Sequence, residues 1–271
     1  MGSRLVDQGV GAVLAQAMSQ DPAQVLIVNP GEHTTRSMID ELDAGETETE
    51  VRILATRNVL KDVLSDFLVA SVAADLVEQG HLDLRSGAED AENALIITPT
   101  EIIALIKMDG EVAGLSTDDA DFVRAVSENY DAYWEHAEPY PLRTPSISRV
   151  RNTLEAEIGD AAEQDFSQIL ESIDSARGDG QDLDEVTISL LVAARNEALL
   201  YDISKWGEDV GIASKATFSR TKTELEDQGV IETEKVPIDV GRPRLRLKLA
   251  NERLASSQAD ELADETLELI G

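Results

Sequence analysis

Toward its C-terminal end the chain reads Leu245-Arg246-Leu247-Lys248-Leu249, an unbroken alternation of apolar and cationic residues that a β-strand sorts onto two faces. Such a strand needs a partner. Residues 230–236, Val230-Ile231-Glu232-Thr233-Glu234-Lys235-Val236, supply one across the loop from Pro237 to Pro243. Upstream, Phe218, Thr221 and Leu225 recur at helical spacing within the run Lys215 to Gln228, with Ser214 placed as N-cap and Gly229 as stop. Two more helices precede it. Asp182 and Glu185 form an expected capping pair for the first, whose apolar stripe is Val186, Ile188, Leu190, Leu191 and Ala194; the second runs from Tyr201 to Asp209 with Ile203, Trp206 and Val210 inward. The tight link Gly211-Ile212-Ala213 then leads into the third. Three helices followed by a hairpin, over residues 182–250, is the plan of a winged helix-turn-helix, an α+β fold.

In that plan the third helix, residues 214–228, enters the major groove, and the wing, residues 237–244, reaches phosphate or the minor groove. Lys215, Ser219 and Lys222 are expected opposite the buried face, with Arg220 and Thr223 at its flanks. The predicted DNA contacts are therefore Ser214, Lys215, Thr217, Ser219, Arg220, Lys222 and Thr223 from the helix, with Arg242 and Arg244 from the wing. Arg220 is the first choice for a base contact, because a bidentate guanidinium contributes about 1–3 kcal/mol of discrimination.

Charge sharpens this reading. The chain of 271 residues carries 54 acids against 23 basic residues, a net charge of -31, and only seven of the basic residues are lysine. Residues 212–249 alone hold eight basic residues and six acids, a net +2, so the rest of the chain stands at -33. A chain this acidic repels nucleic acid almost everywhere except on the third helix and wing. Acids spread along the whole length, with scarce lysine, fit a protein that stays hydrated in concentrated salt. At about 1 M salt the Debye length is only about 3 Å, so binding there depends on direct contacts and general attraction to DNA is weak. The competing reading is a winged helix that serves as a protein-docking module attached to an unrecognised enzyme.

The first half alternates helix and strand. A helix is expected from Leu5 to Met18, then the buried strand Val25-Leu26-Ile27-Val28, the turn Asn29-Pro30-Gly31, a helix over 35–42, a strand over 51–56 and one long helix from Asn58 to Gln79. Strands follow at 82–85, 94–98, 102–107 and 111–115, the last two joined by the hairpin signal Asp109-Gly110, and a helix over 118–136 completes an α/β unit. The turn after the first buried strand is expected to be structural. Arg57 and Asn58, after the next strand, stand at the equivalent position, one where α/β sheets can bind ligands, and are likewise expected to be structural. Tyr130, Tyr133 and Trp134 are expected to form a packing or dimer patch.

The predicted organisation is a sensor or dimerisation domain over 1–138, linker and helical segments over 139–181 after the prolines Pro139, Pro141 and Pro145, the winged helix over 182–250, and an acidic C-terminal helix over 251–271. Without cysteine there are no disulfides and no thiolate zinc sites, and neither cofactor nor metal is expected. The longest apolar run, residues 94–108, is interrupted by Thr98-Pro99-Thr100-Glu101 and is not expected to span a bilayer, so a cytoplasmic protein is predicted.

Leu199-Leu200-Tyr201-Asp202-Ile203-Ser204-Lys205-Trp206-Gly207, Ser214-Lys215-Ala216-Thr217-Phe218-Ser219-Arg220 and Gly241-Arg242-Pro243-Arg244 resemble haloarchaeal winged-helix regulators of the TbsP type. The resemblance implies a transcription regulator of sugar and central carbon metabolism, acting beside TrmB-type regulators. The N-terminal half, at residues 102–115 and Tyr130, Tyr133, Trp134 and Glu135, resembles the phospholipase-D-like sensor domain attached to TrmB-type regulators. Enzymes of that fold use His-x-Lys followed by Asp. Here His33 precedes Thr34-Thr35, His81 precedes Leu82-Asp83 and His136 precedes Ala137-Glu138, so a phospholipase-D-like sandwich without a catalytic motif, and not a hydrolase, is expected. The expected partners are double-stranded promoter DNA, a second copy of the chain as a homodimer on paired half-sites, and a small-molecule effector.

Overall fold

Val25, Leu26, Ile27 and Val28 are all buried, so this strand has helices on both sides and lies in the middle of its sheet. In a computed structural model, which describes the chain apart from residues 1–3, 20–21, 46–47, 90, 109–110, 177–182, 238–242 and 271, the chain divides into two compact units, residues 1–142 and 143–271.

The first unit comprises β1 (Arg4–Gln8), α1 (Val10–Met18), β2 (Gln24–Val28), α2 (Glu32–Ala44), β3 (Glu50–Ala55), α3 (Arg57–Val63), α4 (Phe67–Glu78), β4 (Leu82–Ser86), β5 (Leu95–Ile97), β6 (Ile102–Met108), β7 (Glu111–Thr117), α5 (Ala120–His136) and β8 (Glu138–Pro139). All eight strands form one sheet in the order β1-β7-β6-β5-β2-β3-β4-β8. β2, β3 and β4 are parallel, and every other pairing is antiparallel. One face carries Val25, Ile27, Val51, Ile53 and Ile103 under helices α1 to α4. On the other, Leu26, Val28, Leu54, Ile97 and Ile102 pack with Ala88 and with α5, through Val123 and Trp134. Trp134 is stacked beneath Arg85, 4.5 Å from its ring centre, with Arg52 at 5.4 Å, and its carbonyl accepts a 2.9 Å hydrogen bond from Arg85. Trp134 thus packs inside its own unit, while Tyr130 and Tyr133 contact each other with ring centres 5.6 Å apart.

Two expectations fail here. Residues 4–8, read as the start of a helix, are a strand: Arg4 pairs with Ser116 and Leu5 with Leu115 along β7, and Gly9, at φ 103°, separates that strand from the helix starting at Val10. The single helix expected over 58–79 is two. Asp66 accepts from the backbone N–H groups of Leu68 (3.0 Å) and Val69 (3.2 Å), capping α4, and Arg36 holds its other oxygen at 2.6 Å. The Asp109-Gly110 turn lies outside the described residues, but the strands it joins pair in full register from Ile102↔Thr117 to Met108↔Glu111.

The second unit comprises α6 (Ile147–Glu157), α7 (Asp160–Ala176), α8 (Glu185–Arg195), α9 (Leu200–Val210), α10 (Lys215–Asp227), β9 (Ile231–Val236), β10 (Arg244–Leu249), α11 (Glu252–Ser256) and α12 (Ala259–Ile270). Helix α8 is the central post: every residue from Val186 to Ala194 is buried. The expected cap Asp182 lies outside the described residues; Asp184 does the capping, accepting from Thr187 N at 2.7 Å. Helices α6 and α7, read from sequence as the helical segments that follow the prolines, belong to this unit. The Trp206 indole N–H of α9 donates to Thr153 Oγ1 of α6 at 2.9 Å, and Asp165 of α7 binds Arg195 (3.2 Å) and Asn196 (2.7 Å) at the end of α8. The C-terminal segment, expected as one helix, breaks at Ser257, whose hydroxyl binds Glu265, and α12 buries Leu262, Ala263 and Thr266. Among the described residues no helix is long and apolar enough to cross a membrane.

Candidate nucleic-acid interface

Helices α9 and α10 meet at a turn that two glycines make feasible. Gly211 adopts φ 100°, a left-handed conformation that closes α9, and the carbonyl of Gly207 accepts from the N–H groups of Gly211 (3.2 Å) and Ile212 (2.8 Å). Gly207 also faces the Phe218 ring so closely that a Cβ there would come within 3.0 Å of two ring carbons. The two helices therefore touch backbone to ring. Ser214 then starts α10 by accepting from Thr217 N at 3.2 Å, its hydroxyl also 3.0 Å from that of Thr217. Of the predicted contacts, these two lie together at the front of the helix.

With Phe218, Thr221 and Leu225 buried, the ridge turned outward is Ala216, Ser219, Arg220 and Thr223. Arg220 is exposed and makes no salt bridge with any described residue. The Thr223 hydroxyl donates to the Ser219 carbonyl at 3.0 Å and keeps its acceptor lone pairs. Lys215, Lys222 and Arg244 have partners within the unit. Lys222, placed on the outward face by the sequence reading, has its side chain only 12% exposed and binds Glu226 at 2.6 Å. Its position was readable: it stands four residues after Phe218 and three before Leu225, on the flank of the buried stripe. Burial alone would raise the Glu226 carboxyl, but the hydrogen bonds from Lys222 and Thr233 hold it below the ordinary glutamate range.

Lys215 is bound to Glu208 of α9, whose Oε2 lies 2.8 Å from Nζ and whose Oε1 accepts from Lys215 N at 3.3 Å. The hydrogen bond that Lys215 donates to Glu208 raises the lysine's affinity for its proton, and the same bond lowers the pKa of the glutamate. Arg244, expected to reach DNA from the wing, stacks 4.2 Å above the Tyr201 ring and contacts Asp202 at 3.3 Å. Arg242 lies outside the described residues. Lys248 pairs with Glu234 at 2.9 Å. A backbone bridge between Leu199 and Arg246 adds a third strand-like edge to the β9–β10 hairpin. The exposed Lys235 on β9, absent from the predicted DNA contacts, makes no salt bridge among the described residues. Its neighbours in the sequence are strand residues of ordinary type, so only the geometry distinguishes it.

The first unit holds a separate groove of about 660 Å³. Asn129, Ala132, Tyr133 and His136 form one stripe of α5 along it, facing Arg57, Ser86 and Gly87 at the carboxyl ends of β3 and β4. Arg57 pairs with Glu138 at 3.2 Å. The turn after β2 is tied down within its unit: the Asn29 amide donates to Ala91 O at 3.0 Å, and Pro30 O accepts from Lys107, whose pKa burial pushes down.

Among solved structures the chain is similar to TrmBL2, an archaeal chromatin protein described as showing a novel mode of DNA binding, at 17% identity over 51% of this chain and 53% of that one, with a TM-score of 0.36. This chain therefore spans about half the length of TrmBL2. It is also similar to Nuc, a phospholipase D family member from Salmonella typhimurium (9% identity, 51% and 99% of the two chains, TM-score 0.35), and to NucT from Helicobacter pylori (10%, 51% and 100%, 0.32). No curated protein matches. Residues 2–145 match the N-terminal domain of TbsP-like transcriptional regulators, and residues 146–267 match their C-terminal helix-turn-helix domain. The chain belongs to the TbsP-like family of transcriptional regulators.

Proposed function

We propose that the chain controls transcription by binding double-stranded promoter DNA as a homodimer, with α10 in the major groove and the β9–β10 wing on the flanking backbone. The observation that supports this best is the outward ridge of α10, where Arg220 stands exposed and without a salt bridge among the described residues, between the hydroxyls of Ser219 and Thr223. That ridge offers one guanidinium for a base edge and small polar groups beside it. Ser214, Lys215 and Thr217 lie at the helix front, where a phosphate meets helix N–H groups; Lys222 and Arg244 act by holding α10 and the wing in place, and Lys235 joins Arg242 as a wing cation. The composition supports a halophilic archaeon as the setting, and the family resemblance supports genes of sugar and central carbon metabolism as targets. The groove beside Arg57 and Tyr133 is the place for a small-molecule effector, and the chain has no role as a hydrolase.

The test is Arg220→Ala. In fluorescence anisotropy with promoter fragments recovered by chromatin immunoprecipitation, the substitution is expected to weaken promoter binding by roughly 5- to 150-fold, the equivalent of about 1–3 kcal/mol for a bidentate base contact. It is also expected to flatten the preference over unrelated duplex. Unchanged affinity and preference would overturn this orientation of α10.

A further inference from the structure

Lys215 occupies the first position of α10, where a cation would meet a phosphate first, yet it is not free. Glu208 reaches across the turn from α9 and takes both its ammonium, at 2.8 Å, and its backbone N–H, at 3.3 Å. Asp209 stands next to Glu208, already bound to Lys205, and its charge also acts on Lys215. Glu157 and Tyr201 face the same cluster through Lys205. The front of the DNA-reading helix thus presents two ammonium groups paired with two carboxylates, with the Glu157 carboxylate close by. A phosphate arriving there gains no net attraction.

We propose that Glu208 is a specificity-determining residue: it holds Lys215 away from phosphate in the free protein and in loose encounters, and releases it only in a closely docked complex. This rests on the reading of α10 as the DNA-binding helix. The physical argument is one of exchange. A sequence-blind encounter offers only phosphate charge, which must displace one carboxylate and approach a second. A cognate site adds base contacts from the Ser219, Arg220 and Thr223 ridge, and these hold the duplex close enough for Lys215 to trade Glu208 for a phosphate oxygen. Removing the Glu208 charge frees Lys215 for any duplex and erodes discrimination.

The experiment compares full-length wild type, Glu208→Gln, Lys215→Met and the double variant, each titrated against a promoter fragment and a random-sequence duplex of equal length in 0.2–1 M potassium chloride. One additional phosphate contact steepens the slope of log affinity against log salt by about 0.9, which is about a fourfold gain at 0.2 M relative to 1 M. Glu208→Gln is expected to show this steepening on random duplex and not on the promoter, and to lose it when Lys215 is also Met. An unchanged slope on random duplex, an equal steepening on both duplexes, or a persistent effect in the double variant overturns the proposal. Arg220→Ala, run alongside, tests the underlying reading separately: its loss of promoter preference stands or falls without reference to the Glu208 slopes.

Discussion

Gly207→Ala isolates the closest approach in the helix-turn-helix. The new methyl would lie within 3.0 Å of Cε2 and Cζ of Phe218 and 3.5 Å from Cδ2, where carbon pairs rest at about 3.5–4.0 Å. Phe218 is fully buried and cannot swing away. Two effects oppose each other. Alanine in a helix interior is favoured over glycine by about 1 kcal/mol, whereas overpacking a well-filled core costs about 1–3 kcal/mol. Because two ring atoms are hit and neither helix has slack, the clash is expected to win near the upper end, for a net loss of about 1–2 kcal/mol. The two tryptophans, Trp134 and Trp206, lie one in each unit, so urea denaturation followed by fluorescence in a Trp134→Phe background reports the second unit alone. Adding Phe218→Leu should recover part of the loss, giving a coupling energy of opposite sign to the single costs. If Gly207→Ala raised the urea midpoint, or if the pair simply added, the close approach would not be what fixes glycine at this position.

Thr153→Val leaves the buried Trp206 N–H without its acceptor and should cost about 1–3 kcal/mol, read as a lower urea midpoint of the second unit with an altered Trp206 emission. Arg244→Ala should remove about 0.5–1 kcal/mol from stacking on Tyr201, while leaving the salt slope of DNA binding unchanged because that guanidinium is already held by Asp202. For Glu226 the folded pKa is depressed, so its contribution to stability is present above the ordinary glutamate value and lost as pH falls through the depressed one. Glu226→Gln should therefore reduce the acid-side loss of stability of the second unit in pH-dependent urea titrations, and an unaltered acid limb would count against the Lys222–Glu226–Thr233 network.

The sequence revealed most where local period and turn chemistry agreed. Alternation in 245–249, the helical stripe of Phe218, Thr221 and Leu225, and the Ser214 cap together place the winged helix without reference to the rest of the chain. It failed where a distant partner decides the outcome. Residues 4–8 form a strand because β7 offers an edge more than a hundred residues later, and no local pattern announces it. Arg244 is drawn to Tyr201 and Asp202, some forty residues upstream, and Lys215 to Glu208 on the preceding helix. Counting cations along the sequence gave a basic island; pairing them in space leaves the exposed Arg220 and Lys235 and the half-buried Arg246 as its cations without a salt bridge among the described residues.

The burial of α8 on every side bears on how this protein can be cut. A fragment beginning near residue 182 would strip α7 from the central post, take Asp165 from Arg195 and Asn196, and leave the Trp206 indole facing water with no Thr153. Such a piece has the outline of a winged helix but an unsealed flank. The smallest autonomous fragment should instead begin near Arg143, and limited proteolysis should find α6 and α7 retained with the helix-turn-helix rather than released from it.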